Sequence, residues 1–281
     1  MTLPGRARCN ELRKIEAGGL RFNVAIDGPE GMPWLVLSNS LGATLGMWQR
    51  QVPAFAQHLR VLRYDTRGHG RSSVPAGPYS IAQLGGDVLR MLDALAIERA
   101  HFCGLSLGGT TGIWLGAHAP DRIARLVLCN TAAYFGPPEI MNTRIDTVRR
   151  HGIEAIADGV LERWFTPSFR ASEPDAVERI RADLLATPVE GYVSCCAALR
   201  DLDERRSLAH ISSPTQVIGG TCDPAPRPEA ARELASLIPN ARFAELPAAH
   251  LTNLGAVQAF NECVLGFLRQ GDRGHGTGDR G

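Results

Sequence analysis

The sequence predicts an α/β fold: a mostly parallel central sheet wound with helices and interrupted by a helical insert. Three observations predict it. Short apolar runs alternate with segments of helical spacing, the pattern of right-handed strand–helix–strand crossovers. One strand-like run leads through Gly104-Leu105-Ser106-Leu107-Gly108 into a small, apolar helical segment. Between Tyr134 and Ser207 the alternation stops, and the chain reads as helix throughout.

The elements follow in order. Leu12–Glu16 and Leu20–Asp27 read as strands joined by the turn Ala17-Gly18-Gly19. Trp34–Leu37 is a solid apolar run, as in a strand buried on both faces. After the loop Ser38-Asn39-Ser40-Leu41-Gly42, a helix is expected around Met47–His58, with Pro53 kinking or restarting it. Val61–Tyr64 is the next strand, and Asp65–Ser72 is a polar loop punctuated by glycine. Ile81–Ala96 has helical spacing through Leu84, Val88, Met91, Leu92 and Leu95. Strand Ala100–Cys103, a helix over Thr110–Ala119 and strand Ile123–Cys129 complete the first part.

In the insert, Pro137-Pro138, Thr166-Pro167, Glu173-Pro174 and Thr187-Pro188 punctuate the helical pattern. The sheet pattern resumes with Thr215–Gly219, helix Pro228–Leu237, strand Arg242–Leu246 and a last amphipathic helix over Ala256–Leu268. The expected division is a core over 1–132 and 210–270, an inserted cap over 133–209 above the carboxyl edge of the sheet, and a disordered tail over 271–281. The first ten residues read as frayed.

Composition narrows the function classes. The chain has 281 residues, 44% of them hydrophobic, enough for one large domain with a sizeable core. A net charge of +1 argues against nucleic acid or an anionic membrane as main partner. No run of about 18 apolar residues and no apolar leader is present. Seven cysteines without a Cys-x-x-Cys motif suit a reducing cytoplasm better than a disulfide framework. Cys195, Cys196 and Cys222 lack a histidine or acid at ligand spacing, so no metal site is expected.

The chemistry centres on Ser106. A turn tight enough to lift its hydroxyl off the backbone forces strained dihedrals, and glycines at 104 and 108 remove the Cβ atoms that would clash. The bland alternative is a glycine-rich turn with an incidental serine. A phosphate loop fits less well, since Gly-x-Gly-x-x-Gly and Gly-Lys-Ser/Thr are both missing.

A serine nucleophile needs a base, and the base needs an orienting acid. Among eight histidines, His250 follows the last strand, where loops of an open α/β sheet converge. His69 is the rival, although its glycine- and arginine-rich loop gives it a turn-shaping role. His58, His101, His118, His151, His210 and His275 lie in less suitable places. Asp223 follows the penultimate strand; Asp65 sits in a turn, and Asn130, after strand 123–129, cannot carry the charge. The chain order Ser106, Asp223, His250 is that of one hydrolase fold.

At these residues the chain resembles the α/β-hydrolases, and within them the 3-oxoadipate enol-lactone hydrolases of bacterial aromatic catabolism. The similarity covers nearly all of Leu20 to Leu268. It is carried by Val36–Gly42, Tyr64–Ser72, His101–Ser106, Leu128–Ala133 and Arg163-Trp164-Phe165. The Ser-Asn-Ser-Leu-Gly loop is the most specific, because most α/β-hydrolases carry His-Gly there. One departure is Pro224-Ala225-Pro226-Arg227-Pro228, where Pro-Ala-Thr-Pro-Pro is the family pattern after the acid.

The resemblance implies a Ser-His-Asp hydrolase with a helical cap, no cofactor, and a small anionic lactone as substrate. Ser106 would be the nucleophile, His250 the base and Asp223 its orienter, with backbone N–H groups of Leu41 and Leu107 receiving the oxyanion. The lactone's acetate side chain needs a cation. The insert, with ten arginines against thirteen acids, cannot attract it in bulk. Arg144 is the candidate, with Met141, Ile145 and Val148 at helical neighbour positions, and Trp164 is the expected apolar wall. Arg144 could instead pair with Asp146 or Glu139. A general carboxylesterase or lactonase, a cofactor-free peroxidase-like hydrolase of the same fold and a non-catalytic small-molecule binder remain the alternatives. Ser106 in place of a carboxylate excludes a dehalogenase.

Overall fold

The computed structural model describes residues 12–270. The expectations for the first ten residues and for 271–281 lie outside the described residues. Eight strands form one sheet in the order β1-β2-β4-β3-β5-β6-β7-β8. They are β1 Leu12–Ala17, β2 Leu20–Asp27, β3 Trp34–Ser38, β4 Arg60–Tyr64, β5 Ala100–Leu105, β6 Ile123–Cys129, β7 Thr215–Gly220 and β8 Arg242–Leu246. β1 and β2 pair antiparallel, β2 joins β4 antiparallel, and every later pairing is parallel.

The helices are α1 Val52–Phe55, α2 Ile81–Ala94, α3 Leu107–His118, α4 Pro138–His151, α5 Glu154–Trp164, α6 Pro167–Ser172, α7 Pro174–Leu185, α8 Val189–Arg200, α9 Pro228–Leu237, α10 Thr252–Gly255 and α11 Val257–Leu268. Helices α4 to α8 all fall between β6 and β7, where the alternation of the sequence stops.

Parallel strands buried on both faces read as unbroken apolar runs because each alternate side chain enters a different core. In β5, Phe102 packs with Leu128, Ile113 and Met91 on one face. Cys103 and Leu105 face Val127, Trp48 and Phe260 on the other. The Cys103 and Cys129 sulfurs approach to 4.0 Å as thiols. Among the described residues, no helix is long and apolar enough to cross a membrane, and no cluster of metal-ligating side chains occurs.

Three element boundaries differ from expectation, each for a local reason. The helix expected at 47–58 is a 3-10 turn, Leu45–Trp48, followed by the single-turn α1. Thr44 caps the former, and Pro53 in the first turn of α1 interrupts any continuous ladder. α2 stops at Ala94, and Ala96 then takes a left-handed conformation (φ 53°). α3 starts at Leu107 rather than Thr110, because the backbone reverses at Ser106 itself.

The loop after β4 is held by a buried ion pair. Arg67 donates from Nε and Nη2 to both Asp87 oxygens, at 2.5 and 2.6 Å, and lies over the Tyr79 ring. Such a pair is weak evidence for net stability, yet removing one partner leaves a buried charge unmatched. Asp87→Ala is expected to destabilise the protein by about 3–5 kcal/mol in chemical denaturation. A loss below about 1 kcal/mol would show that water replaces the carboxylate at Arg67.

Candidate active site

Ser106 sits at the carboxyl end of β5 with φ 58° and ψ −113°, a region that costs a non-glycine residue about 1–3 kcal/mol. The glycines flanking it are needed for space. A Cβ at Gly104 would stand 2.1 Å from Gly108 O, and one at Gly108 would stand 2.3 Å from Ser38 O. Both obstacles are backbone and cannot move aside. The strained turn is clamped by Ser106 N–H to Cys129 O (2.9 Å) and by Thr131 Oγ1 donating to Ser106 O (2.8 Å).

The candidate base and acid meet as a couple. His250 Nδ1 donates to Asp223 Oδ2 at 2.8 Å, with both residues buried. This leaves Nε2 of His250 as the nitrogen free to accept a proton. Asp223 also accepts from Asn130 Nδ2 (2.8 Å) and from the Ala225 N–H (3.0 Å). The altered segment after the acid therefore still supplies a backbone donor to it. Asn130 itself is fixed by Thr252 Oγ1, which donates to Asn130 Oδ1 at 2.7 Å. The position that cannot hold the acid thus steadies the acid from the neighbouring strand.

Ser106, His250 and Leu41 line one cavity of about 160 Å³, closed on its far side by residues of α4, α5 and α8. No hydrogen bond joins the Ser106 hydroxyl to His250 here; in unliganded sites that contact commonly tightens only with substrate. The N–H groups of Leu41 and Leu107 have no hydrogen-bond partner among the described residues. Their neighbours do: Gly108 N–H donates to Asn39 O at 2.9 Å, and Gly42 N–H donates to His69 Nε2 at 2.9 Å.

The rival residues have other work. His69 is fully buried, with Nδ1 facing Arg67 O at 3.2 Å, so its Nε2 is an acceptor that braces the Leu41-Gly42 turn. Asp65 accepts from Leu45 N–H, Asn23 Nδ2 and Arg71 N–H, which makes it a loop anchor. His118, His151 and His210 are exposed, His58 lies in a turn, and His101 is on β5.

Arg144 and Trp164 both line the cavity. Among the described residues Arg144 makes no ion pair with Asp146 or Glu139; it shares the cavity wall with Tyr192 of α8. Sequence reasoning missed Arg163, Tyr192 and Phe135, which line the same cavity. Arg163 directly precedes Trp164 in a segment already singled out, but nothing in its spacing shows where the guanidinium points. Burial and the neighbouring Arg144 charge both hold Arg163 below the usual guanidinium value.

Residues 33–256 match the family model described as alpha/beta hydrolase fold. This chain belongs to the α/β-hydrolase family. It is 42% identical to 3-oxoadipate enol-lactonase 2 of Acinetobacter baylyi, over 91% of this chain and 96% of that protein. The crystal structure of the enol-lactonase from Burkholderia xenovorans LB400 superposes with a TM-score of 0.90 at 47% identity, covering 92% of this chain and 100% of that one. A more distant relative, 30% identical over 83% of this chain and 90% of its own length, is a putative carbamate hydrolase, RutD, of a Caulobacter species. Among α/β hydrolases, this chain thus stands with the enol-lactonases in both sequence and shape.

The His69 brace is sensitive to pH. Burial holds His69 below its ordinary value, only partly offset by the Arg67 carbonyl and Asp65. The unfolded chain therefore binds that proton more readily, and unfolding takes one up once the pH drops below about 6.5. Stability is expected to decline from there as pH falls. In His69→Gln, whose amide oxygen can accept from Gly42 without titrating, the decline should be shallower. Identical slopes in urea titrations at pH 5 and 7.5 would remove His69 as a source of acid lability.

Proposed function

We propose that this chain hydrolyses 3-oxoadipate enol-lactone to 3-oxoadipate by a Ser-His-Asp acyl-enzyme mechanism. The observation that carries the reading is a shared cavity: an elbow serine and an Asp-oriented histidine face two arginines, and neither arginine is paired with a carboxylate among the described residues. A hydrolytic centre opposite unpaired cations suits an ester that bears its own negative charge. The likeness to enol-lactonases supports the same substrate.

In this reading Ser106 Oγ attacks the lactone carbonyl while His250 Nε2 takes its proton, and Asp223 holds the tautomer. The carbonyl oxygen becomes an oxyanion between the Leu41 and Leu107 N–H groups. Removing one such donor typically costs about 2.7–4 kcal/mol. The ring oxygen leaves as an enol, which ketonises. Water activated by His250 then cleaves the acyl-enzyme and restores Ser106. No cofactor enters the mechanism. Arg144 holds the acetate side chain of the lactone, and Trp164 packs against the ring.

Two measurements test this. The enol-lactone should be consumed, with loss of its ultraviolet absorbance, by the wild type but not by Ser106→Ala, and Asp223→Asn should lower kcat by about 10⁴. Hydrolysis of p-nitrophenyl acetate without any turnover of the lactone would point to a general esterase instead. Arg144→Ala should raise KM for the lactone about tenfold or more, a loss of about 1.4 kcal/mol, with a clearly smaller effect on neutral p-nitrophenyl acetate. Equal losses on both substrates would mean that Arg144 only supports the cap.

A further inference from the structure

The cavity holds more positive charge than a resting substrate needs. Arg144 and Arg163 both line it, each is half-buried, and neither has a carboxylate partner among the described residues. Two guanidiniums that line one small cavity repel each other, so their pairing favours an anion between them. The enol-lactone assigned above brings one carboxylate, which one arginine can grip. The second arginine is matched only by charge that arises during the reaction. Interactions that strengthen in the transition state are those that raise kcat.

The positions say where that charge arises. The Arg163 carbonyl accepts the His250 N–H (3.4 Å), and the Trp164 carbonyl accepts the Leu251 N–H (3.2 Å), so the end of α5 is tied to the base. Arg163 lines the same cavity as Ser106, His250 and Arg144. Arg163 thus joins the cavity wall at the residue bonded to the His250 backbone, with Arg144 of α4 on the same wall. The lactone has one atom between its reacting carbon and its carboxylate arm. The ring oxygen is bonded on one side to the acyl carbon that Ser106 attacks, and on the other to the carbon bearing the acetate group.

We propose that Arg163 is a catalytic residue that stabilises the leaving enol oxygen, while Arg144 binds the resident carboxylate; the substrate assignment rests on the function proposed above. The step balances without any further reagent. The Ser106 Oγ–acyl carbon bond forms, and the Ser106 proton moves to His250 Nε2. The acyl carbon–ring oxygen bond breaks with its electron pair on that oxygen, beside Arg163. The oxygen then takes the proton from His250, and the enol ketonises by exchange with water.

The experiment combines leaving-group dependence with an inhibitor pair. For the wild type, Arg163→Gln and Arg163→Lys, kcat/KM is measured on aryl acetates of graded phenol acidity and on the enol-lactone. In Arg163→Gln the dependence on leaving-group acidity should steepen. On the lactone, kcat should fall about a hundredfold with KM changed less than about threefold, and Arg163→Lys should recover part of it. Malonate, whose second carboxylate reaches the place of the ring oxygen, should inhibit wild-type aryl acetate hydrolysis at least about tenfold more tightly than propionate. Arg163→Gln should abolish that advantage.

An unchanged slope with equal losses on every substrate would overturn the proposal and leave Arg163 as a support of α5. So would a raised KM at constant kcat, or equal inhibition of the wild type by malonate and propionate, a measurement that needs no variant. If the slope steepens and malonate discriminates while the wild type ignores the enol-lactone, the leaving-group role stands and the substrate assignment fails. If the lactone is consumed and the slope does not move, only the role of Arg163 fails.

Discussion

The backbone of one residue constrains the whole site. Ser106 is held at φ 58°, a conformation a serine leaves unless its surroundings forbid it. They do. β5 lies between β3 and β6, so the turn cannot swing sideways, and Cys129 and Thr131 hold its two peptide groups. Gly104 and Gly108 make the fit possible because the Gly108 backbone and the Ser38 carbonyl occupy the space a Cβ would need. The hydroxyl is thereby aimed into the cavity, and the first N–H of α3 is left open beside it. The sheet supplies the free energy that keeps this strain in place.

Around that turn, loops from four strands are tied to one another by buried polar side chains, most of them spanning a long separation in sequence. Asn39 accepts from Trp48 Nε1, donates to the Tyr64 carbonyl and receives the Gly108 N–H on its own carbonyl. Asn130 and Thr252 connect the acid loop to the segment after His250. Asn253 donates to the Met47 carbonyl, and Gln51 donates to the Asn253 carbonyl, joining that segment to the loop after β3. A buried hydrogen bond contributes only about 1 kcal/mol net, but an unmade one leaves a desolvated group. The network's consequence is therefore positional: the candidate base, acid and oxyanion donors cannot drift independently.

The helices above the sheet are joined to this network rather than hinged away from it. The end of α5 bonds to the His250 loop through backbone, and Thr44 donates to Asp183 of α7 at 2.6 Å. Their overall charge is negative by count, yet the wall they turn toward Ser106 carries two guanidiniums. In the proposed function, recognition of an anion here is local. It depends on two side chains in a small desolvated volume, where Coulomb interactions are far stronger than at the surface. Net charge of the segment has no bearing on it.

The sequence by itself determined whatever depends on local pattern or on chain order. Unbroken apolar runs identify strands buried on both faces, and spacing identifies helices. The elbow glycines, together with Asp223 and His250 after successive strands, point to one crevice because parallel strands all end on the same side. Only the tertiary structure decided what depends on direction across the fold. Helical spacing puts Arg144 beside Met141 and Ile145, but whether it meets Asp146 or the cavity depends on how α4 packs on α8. Arg163 stands in a segment the resemblance singled out, but its place in the cavity wall depends on how the end of α5 is bonded to a loop far along the chain. His69 and Asn130 could be judged as poor candidates for base and acid. That one braces the Gly42 turn and the other steadies Asp223 is set by contacts between strands, and a linear sequence records no distances between them.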